Sequence, residues 1–282
     1  MHNNKELALR SCLTHVSIGW KKLIITLGIT VTILVAGPLI VERIVYNQSD
    51  KQQETPTALT HIEHHLQQLE EAVWKKLVAK GVSRAEFDAL YKRDFPHPKK
   101  NKNNECMFHL GISKKNKELV LTLLKEQQID GTYVTVKTTQ LRTHAAALSN
   151  TLLINPGLFD PLPDNQKRAI LRHEMQHLKH YDSFTNATLA ALMETRVHEA
   201  YNQQDHPIAH MSRFQETRAD LLSLSSSTQA AQDFVAFMDA TVQSHKFPDH
   251  PSHPQQKSRL SWGKQVLAHL QDGGDIQAVT FA

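Results

Sequence analysis

His173-Glu174-Met175-Gln176-His177 constrains this chain more than any other stretch. On a helix, residues four apart share a face. His173 and His177 can therefore turn two imidazoles towards one metal ion, with Glu174 beside them and within reach of a water on that metal. This is a metal-plus-base arrangement suited to hydrolysing peptide bonds. The local sequence favours a helix: Pro163 and Asp164 can open it, and no glycine or proline follows before Tyr181. Ala169, Ile170, Leu171 and Leu178 supply apolar packing. The competing reading is a charged helix with two solvent-facing histidines. With 18 histidines in 282 residues, the five-letter pattern has an appreciable chance rate.

A second stretch sets the topology. Leu23 to Val41 is 19 residues long and carries no charge. As a helix it would extend about 28 Å, close to a bilayer core of roughly 30 Å. A soluble helix is rarely apolar all round for this length. A cleaved signal peptide fits less well, because the preceding segment is long and no A-x-A site follows. The expectation is an uncleaved transmembrane anchor. Lys21 and Lys22 abut its N-terminal end, so residues 1–22 are expected in the cytoplasm and the main domain outside it. In a bacterium the location would be the inner membrane, with the domain in the periplasm. Cys12 and Cys106, the two cysteines, would then lie on opposite sides and could not pair. The formal charge of +4 and the few aromatic residues give no argument for nucleic acid.

Residues 42–105 read as a polar spacer followed by a helical segment. Ile62, Leu66, Leu69, Val73 and Leu77 repeat at helical spacing over Thr60 to Lys80. Gly81 ends that helix, and Ser83 with Glu86 forms a capping-box pattern for a second one through Tyr91. The pair could pack on the following domain or form a short coiled coil. Pro96 to Lys102 reads as a solvated basic turn. Further helices are expected at Lys117 to Gln127, Ala187 to Tyr201, Phe214 to Leu224, Gln229 to Val242 and Ser258 to Leu270. Thr132 to Thr138 alternates and reads as a strand. Asn150 to Asn155 is a second strand candidate, and Ala145 to Leu148 is apolar. His245 to Gln256 is a histidine- and proline-rich loop.

Two histidines leave a catalytic zinc one protein ligand short. The third-histidine pattern of the metzincins is absent behind His177, and His180 is turned away from the line joining His173 and His177. Glu194, Glu199 and Glu216 remain on later helices. Glu216 has a distinguishing neighbour, Asp220, four residues on and on the same face. A carboxylate ligand and a carboxylate orienting a histidine ring N–H make a coherent pair.

With His173-Glu174-x-x-His177 followed by Glu216-x-x-x-Asp220, the chain resembles the M48 family of membrane-associated zinc metallopeptidases. The lead-in Leu152 to Leu171 is similar to the family's strand, turn and helix start. His253-Pro254 with Arg259-Leu260 is similar to its C-terminal motif. The resemblance covers roughly Thr132 to Leu270. Many relatives carry Asn-Ala-x-Ala before the metal helix, whereas this chain has Thr143-His144-Ala145-Ala146-Ala147. Multi-pass relatives have several membrane spans, and this chain shows one.

The resemblance implies a gluzincin-like α+β domain over 106–272, mostly helical with a small sheet, before a peripheral tail at 273–282. It implies Zn2+ held by His173, His177 and Glu216, Glu174 as general base and Asp220 orienting a ligand histidine. His253 and Arg259 would be candidate donors to the oxyanion, or would pin the His-Pro loop. The expected activity is zinc-dependent endoproteolysis of unfolded or misfolded membrane or envelope proteins. The alternative is a catalytically idle metal-binding chaperone or a membrane-anchored interaction protein.

Overall fold

The computed structural model describes residues 58–94, 100–101, 103–198, 207–244 and 254–274. The expected anchor at Leu23 to Val41, the spacer, most of the His245 to Gln256 loop and the tail from 275 lie outside these residues. No helix among the described residues is long and apolar enough to cross a membrane.

The described residues are mostly helical and carry one small mixed sheet. Helix α1 (Ala58–Ala79) buries Ile62, Leu66, Val73, Trp74 and Leu77, the apolar face expected from the spacing. Gly81, at φ +78°, makes the left-handed turn after it. Helix α2 (Arg84–Asp94) follows, and the Ser83 hydroxyl accepts the Glu86 N–H at 3.1 Å, an N-cap bond. Next come β1 (Met107–Phe108) and α3 (Lys114–Glu126). A 3-10 turn at Gly131–Tyr133 takes the first residues of the expected strand and leaves β2 (Thr135–Thr138).

Strands β3 (Ala145–Leu148) and β4 (Thr151–Ile154) form a hairpin. The sheet order is β1-β2-β4-β3, with β1 and β2, and β2 and β4, parallel. The strand at β3 is the less legible of the two, because alanine has little strand preference. Pairing with β4 and burial of Ala145 and Ala147 override it.

A helical turn, α4 (Pro156–Phe159), leads to the motif helix α5 (Asp164–His180). Tyr181 is left-handed, at φ 54°, and α6 (Asp182–Leu192) starts at once, five residues before its expected beginning. A π-helical turn, Met193–Val197, closes α6. Helix α7 (Pro207–Ser225) begins seven residues before the expected Phe214. Pro207 suits a first helical position, where its missing N–H is no loss, and Ile208, Ala209 and Met211 are buried. Helices α8 (Thr228–Ser244) and α9 (Gln256–Gln271) complete the described chain.

Three apolar clusters hold these elements. The sheet packs its Val136, Leu152 and Ile154 with Val120 and Leu123 of α3 and Leu171 and Met175 of α5. The α1–α2 pair packs on α6 and α7 through Ile62, Leu66 and Leu77 against Leu189, Leu192, Ile208 and Met211. Phe234 and Met238 of α8 meet Val266 of α9 and Leu224 of α7. Helix α5 belongs to the sheet cluster and also touches α7 and α8, so its remaining faces are turned to buried polar partners.

Candidate metal centre

Almost every side of α5 is used. Leu171, Met175 and Leu178 face the sheet cluster. Arg168 and Arg172, one turn apart, face α8. Arg168 donates from Nε and Nη2 to Asp233 at 2.7 and 2.9 Å. Arg172 donates to Asp233 at 2.7 Å and to Glu126 of α3 at 2.7 and 3.2 Å. Gln176 donates to Gln127 at 2.5 Å. The buried face that remains carries His173 and His177. The motif helix is thus polar in sequence yet largely buried, because each buried charge has a partner.

His173, His177 and Glu216 of α7 each offer one ligand atom within 4.8 Å of the others. The Nε2 atoms of the two histidines are 3.1 Å apart. Glu216 Oε2 is 3.0 Å from His173 Nε2, and Glu216 Oε1 is 3.4 Å from His177 Nε2. Three ligands at 2.0–2.1 Å around a tetrahedral ion would sit about 3.3 Å apart. The three observed separations match that spacing.

The far sides of the rings strengthen the fit. His173 Nδ1 lies 2.8 Å from Asp220 Oδ1, and His177 Nδ1 lies 3.0 Å from Asp182 Oδ2. If each Nδ1 donates to its carboxylate, a neutral ring presents its Nε2 lone pair to the centre. Two such lone pairs face each other beside a carboxylate. A cation between them satisfies all three at once. The residues present therefore fit a metal ion.

Electrostatics point the same way. Burial pulls the His173 pKa down, but hydrogen bonds and charge from Asp220 and Glu216 outweigh it and lift it to about 9. Burial likewise opposes protonation of His177, and Glu216 and Asp182 lift its pKa well above the usual value. The centre attracts positive charge. Burial pushes Asp220 upward, yet Arg259 and His173 hold it down at about 2. Glu174 is the exception: burial keeps its carboxyl above the ordinary range, although His173 and His177 oppose this. Its Oε2 accepts the Ala147 N–H of β3 at 2.8 Å.

The structure brings together His173, Glu174, His177, Glu216 and Asp220. It also brings Arg259 to Asp220, with Nε and Nη2 each 2.6 Å from a carboxylate oxygen. Two of the guanidinium nitrogens thus hold Asp220, where the motif suggested an oxyanion donor or a loop pin. Glu194 is exposed on the π turn and stands apart from the cluster. His180 is not among the converging ligands. Burial, joined by Arg218, draws its pKa down to about 4. His253 and Glu199 lie outside the described residues.

Sequence reasoning missed Asp182, Arg218 and Ser183. Arg218 donates to Asp182 at 2.5 Å, and the Ser183 hydroxyl donates to the Ala147 carbonyl at 3.0 Å. Asp182 follows His177 by five residues, and that proximity was the available signal. Comparison of the chain with models of known protein families, with curated proteins and with solved structures finds no match.

Proposed function

We propose that the chain is a zinc-dependent metalloendopeptidase of the M48 kind, with a gluzincin-like α+β domain. The observation that carries this reading is the convergence of His173, His177 and Glu216 at tetrahedral spacing, with Glu174 half-buried beside them. A bound zinc would lower the pKa of a coordinated water and polarise the scissile carbonyl. Three protein donors leave a fourth position for that water. Glu174 takes the proton of the attacking water and passes it to the leaving amine. Burial raises its pKa, which makes its carboxylate a stronger base. Asp220 orients His173, and Arg259 holds Asp220.

The substrate is an extended polypeptide. Strand β3 is the edge of the described sheet nearest α5, and sheet edges bind extended peptides by main-chain pairing. Its Ala147 N–H and C=O are engaged by Glu174 and Ser183, so an arriving strand would compete for the backbone beside the base. The span at Leu23 to Val41 and the Lys21-Lys22 pair support a single-pass inner-membrane protein. Its catalytic domain would face the periplasm, among unfolded or misfolded membrane and envelope proteins. Protection of the domain from added protease in intact spheroplasts would reverse that topology.

Digestion of a denatured protein by wild type and Glu174→Gln at equal zinc content tests the activity. Wild type is expected to cleave, and the variant to bind zinc without cleaving. Equal cleavage by both, or none by wild type at full zinc occupancy, would defeat the protease reading. The latter result would favour an idle metal-binding role.

A further inference from the structure

The two ligand histidines are supported alike. His173 Nδ1 meets Asp220, which is gripped by Arg259; His177 Nδ1 meets Asp182, which is gripped by Arg218. The second set is assembled differently. In an uninterrupted helix, residue 182 would lie about 140° around the axis from residue 177 and could not fold back to its ring. Tyr181 breaks α5 in the left-handed conformation, and α6 starts at Asp182. This re-aims the carboxylate at His177. Asp182 is buried, and its side chain keeps 7% exposure. A carboxylate at that depth costs several kcal/mol unless paired, and its partners are one arginine and one ligand histidine.

We propose that Asp182, held by Arg218, is a positioning residue that fixes the Nδ1–H tautomer of His177 and aims its Nε2 at the metal. The inference rests on the metal-site reading above. Its support is looser than that of His173: Arg259 binds Asp220 through two nitrogens, whereas Arg218 meets Asp182 through Nη2, and its buried Nε has no hydrogen-bond partner. The two grips are therefore unequal.

The test measures Zn2+ affinity by chelator competition and the visible spectrum of bound Co2+ in the full chain. Wild type, Asp182→Ala and the double variant Asp182→Ala with Arg218→Met are compared, each with its metal-free melting temperature. The single variant leaves Arg218 buried without its carboxylate and is expected to melt lower. The double variant removes both charges and is expected to recover much of that loss. Both are expected to bind Zn2+ about 10- to 100-fold more weakly, with an altered Co2+ spectrum. Wild-type affinity in the double variant, once its melting temperature recovers, would overturn the positioning role. It would leave Asp182 as an ion pair of the fold. Failure of wild type itself to bind one Zn2+ or Co2+ would overturn the metal reading, and this inference with it.

Discussion

Glu174 and Glu216 sit in one centre, yet their loss should read differently. Glu216 offers carboxylate oxygens 3.0 and 3.4 Å from the two ring nitrogens, so Glu216→Ala should lose metal and turnover together. Glu174 contacts the edge strand and is not one of the three converging ligands. Glu174→Gln should keep the metal and lose about 100- to 10,000-fold in rate, the usual worth of a positioned base. Asp220→Ala should weaken metal binding and turnover by roughly 10- to 100-fold, as expected for a ligand's orienting partner. Metal content by atomic absorption, set against peptidase rate, separates the three. Full zinc occupancy and turnover in Glu216→Ala would mean the third ligand is misassigned. At this scale the sequence was legible wherever the chemistry uses one helical repeat. His173 with His177 and Glu216 with Asp220 are both four apart, and the helix alone places each pair on a face. Asp182 escaped because its contact depends on the backbone angle of Tyr181, which composition does not announce.

The motif helix depends on neighbours that its own pattern does not name. Arg168 and Arg172 grip Asp233 of α8, whose side chain is 1% exposed. Burial pushes the Asp233 pKa up, and the two arginines and Gln229 more than reverse it, leaving the carboxyl below its ordinary range. The stability it confers is therefore fully present above about pH 4, the unfolded value. It is lost as pH falls through the lower folded pKa. Asp233→Ala takes one of two carboxylate partners from the buried Arg172, which keeps Glu126, and should cost about 1.5–3 kcal/mol near neutral pH, the worth of a hydrogen bond to a charged group. Urea denaturation of the metal-free chain checks this, and the gap between variant and wild type should close below about pH 4. A gap that persists unchanged well below that pH would trace the loss to packing rather than charge. The same partners explain why α5 buries nine of its 17 residues although 12 of the 17 are polar. Helical spacing made α1 legible because Ile62, Leu66, Val73 and Leu77 bury on one face without help. The early start of α6 was illegible because left-handed Tyr181 ends one helix and the next begins at once, whereas Pro207 at the first position of α7 was a start signal the pattern reading passed over.

Across the whole molecule the candidate metal site lies between two cores. His173 and His177 ride on α5, which packs with the sheet. Glu216 rides on α7, which packs with α1, α2 and α6. Arg259 brings α9 to the same point through Asp220. An ion bound here would tie together elements that otherwise meet through separate apolar clusters. It would bind the folded chain far better than the unfolded one, in which Glu216 lies 39 residues along the chain from His177. At free metal 1,000 times the dissociation constant, such linkage stabilises by about 4 kcal/mol. For a domain of this size each kcal/mol moves the melting temperature by about 2–4 °C. Zinc should therefore raise the melting temperature of the detergent-solubilised chain by roughly 8–16 °C, and a chelator should reverse the rise. The double variant His173→Ala with Glu216→Ala removes one ligand from each side and should melt at one temperature with or without zinc. A wild-type melting temperature indifferent to both zinc and chelator would mean that no ion bridges α5 and α7. The converging histidines would then have to be explained as a hydrogen-bonded polar core.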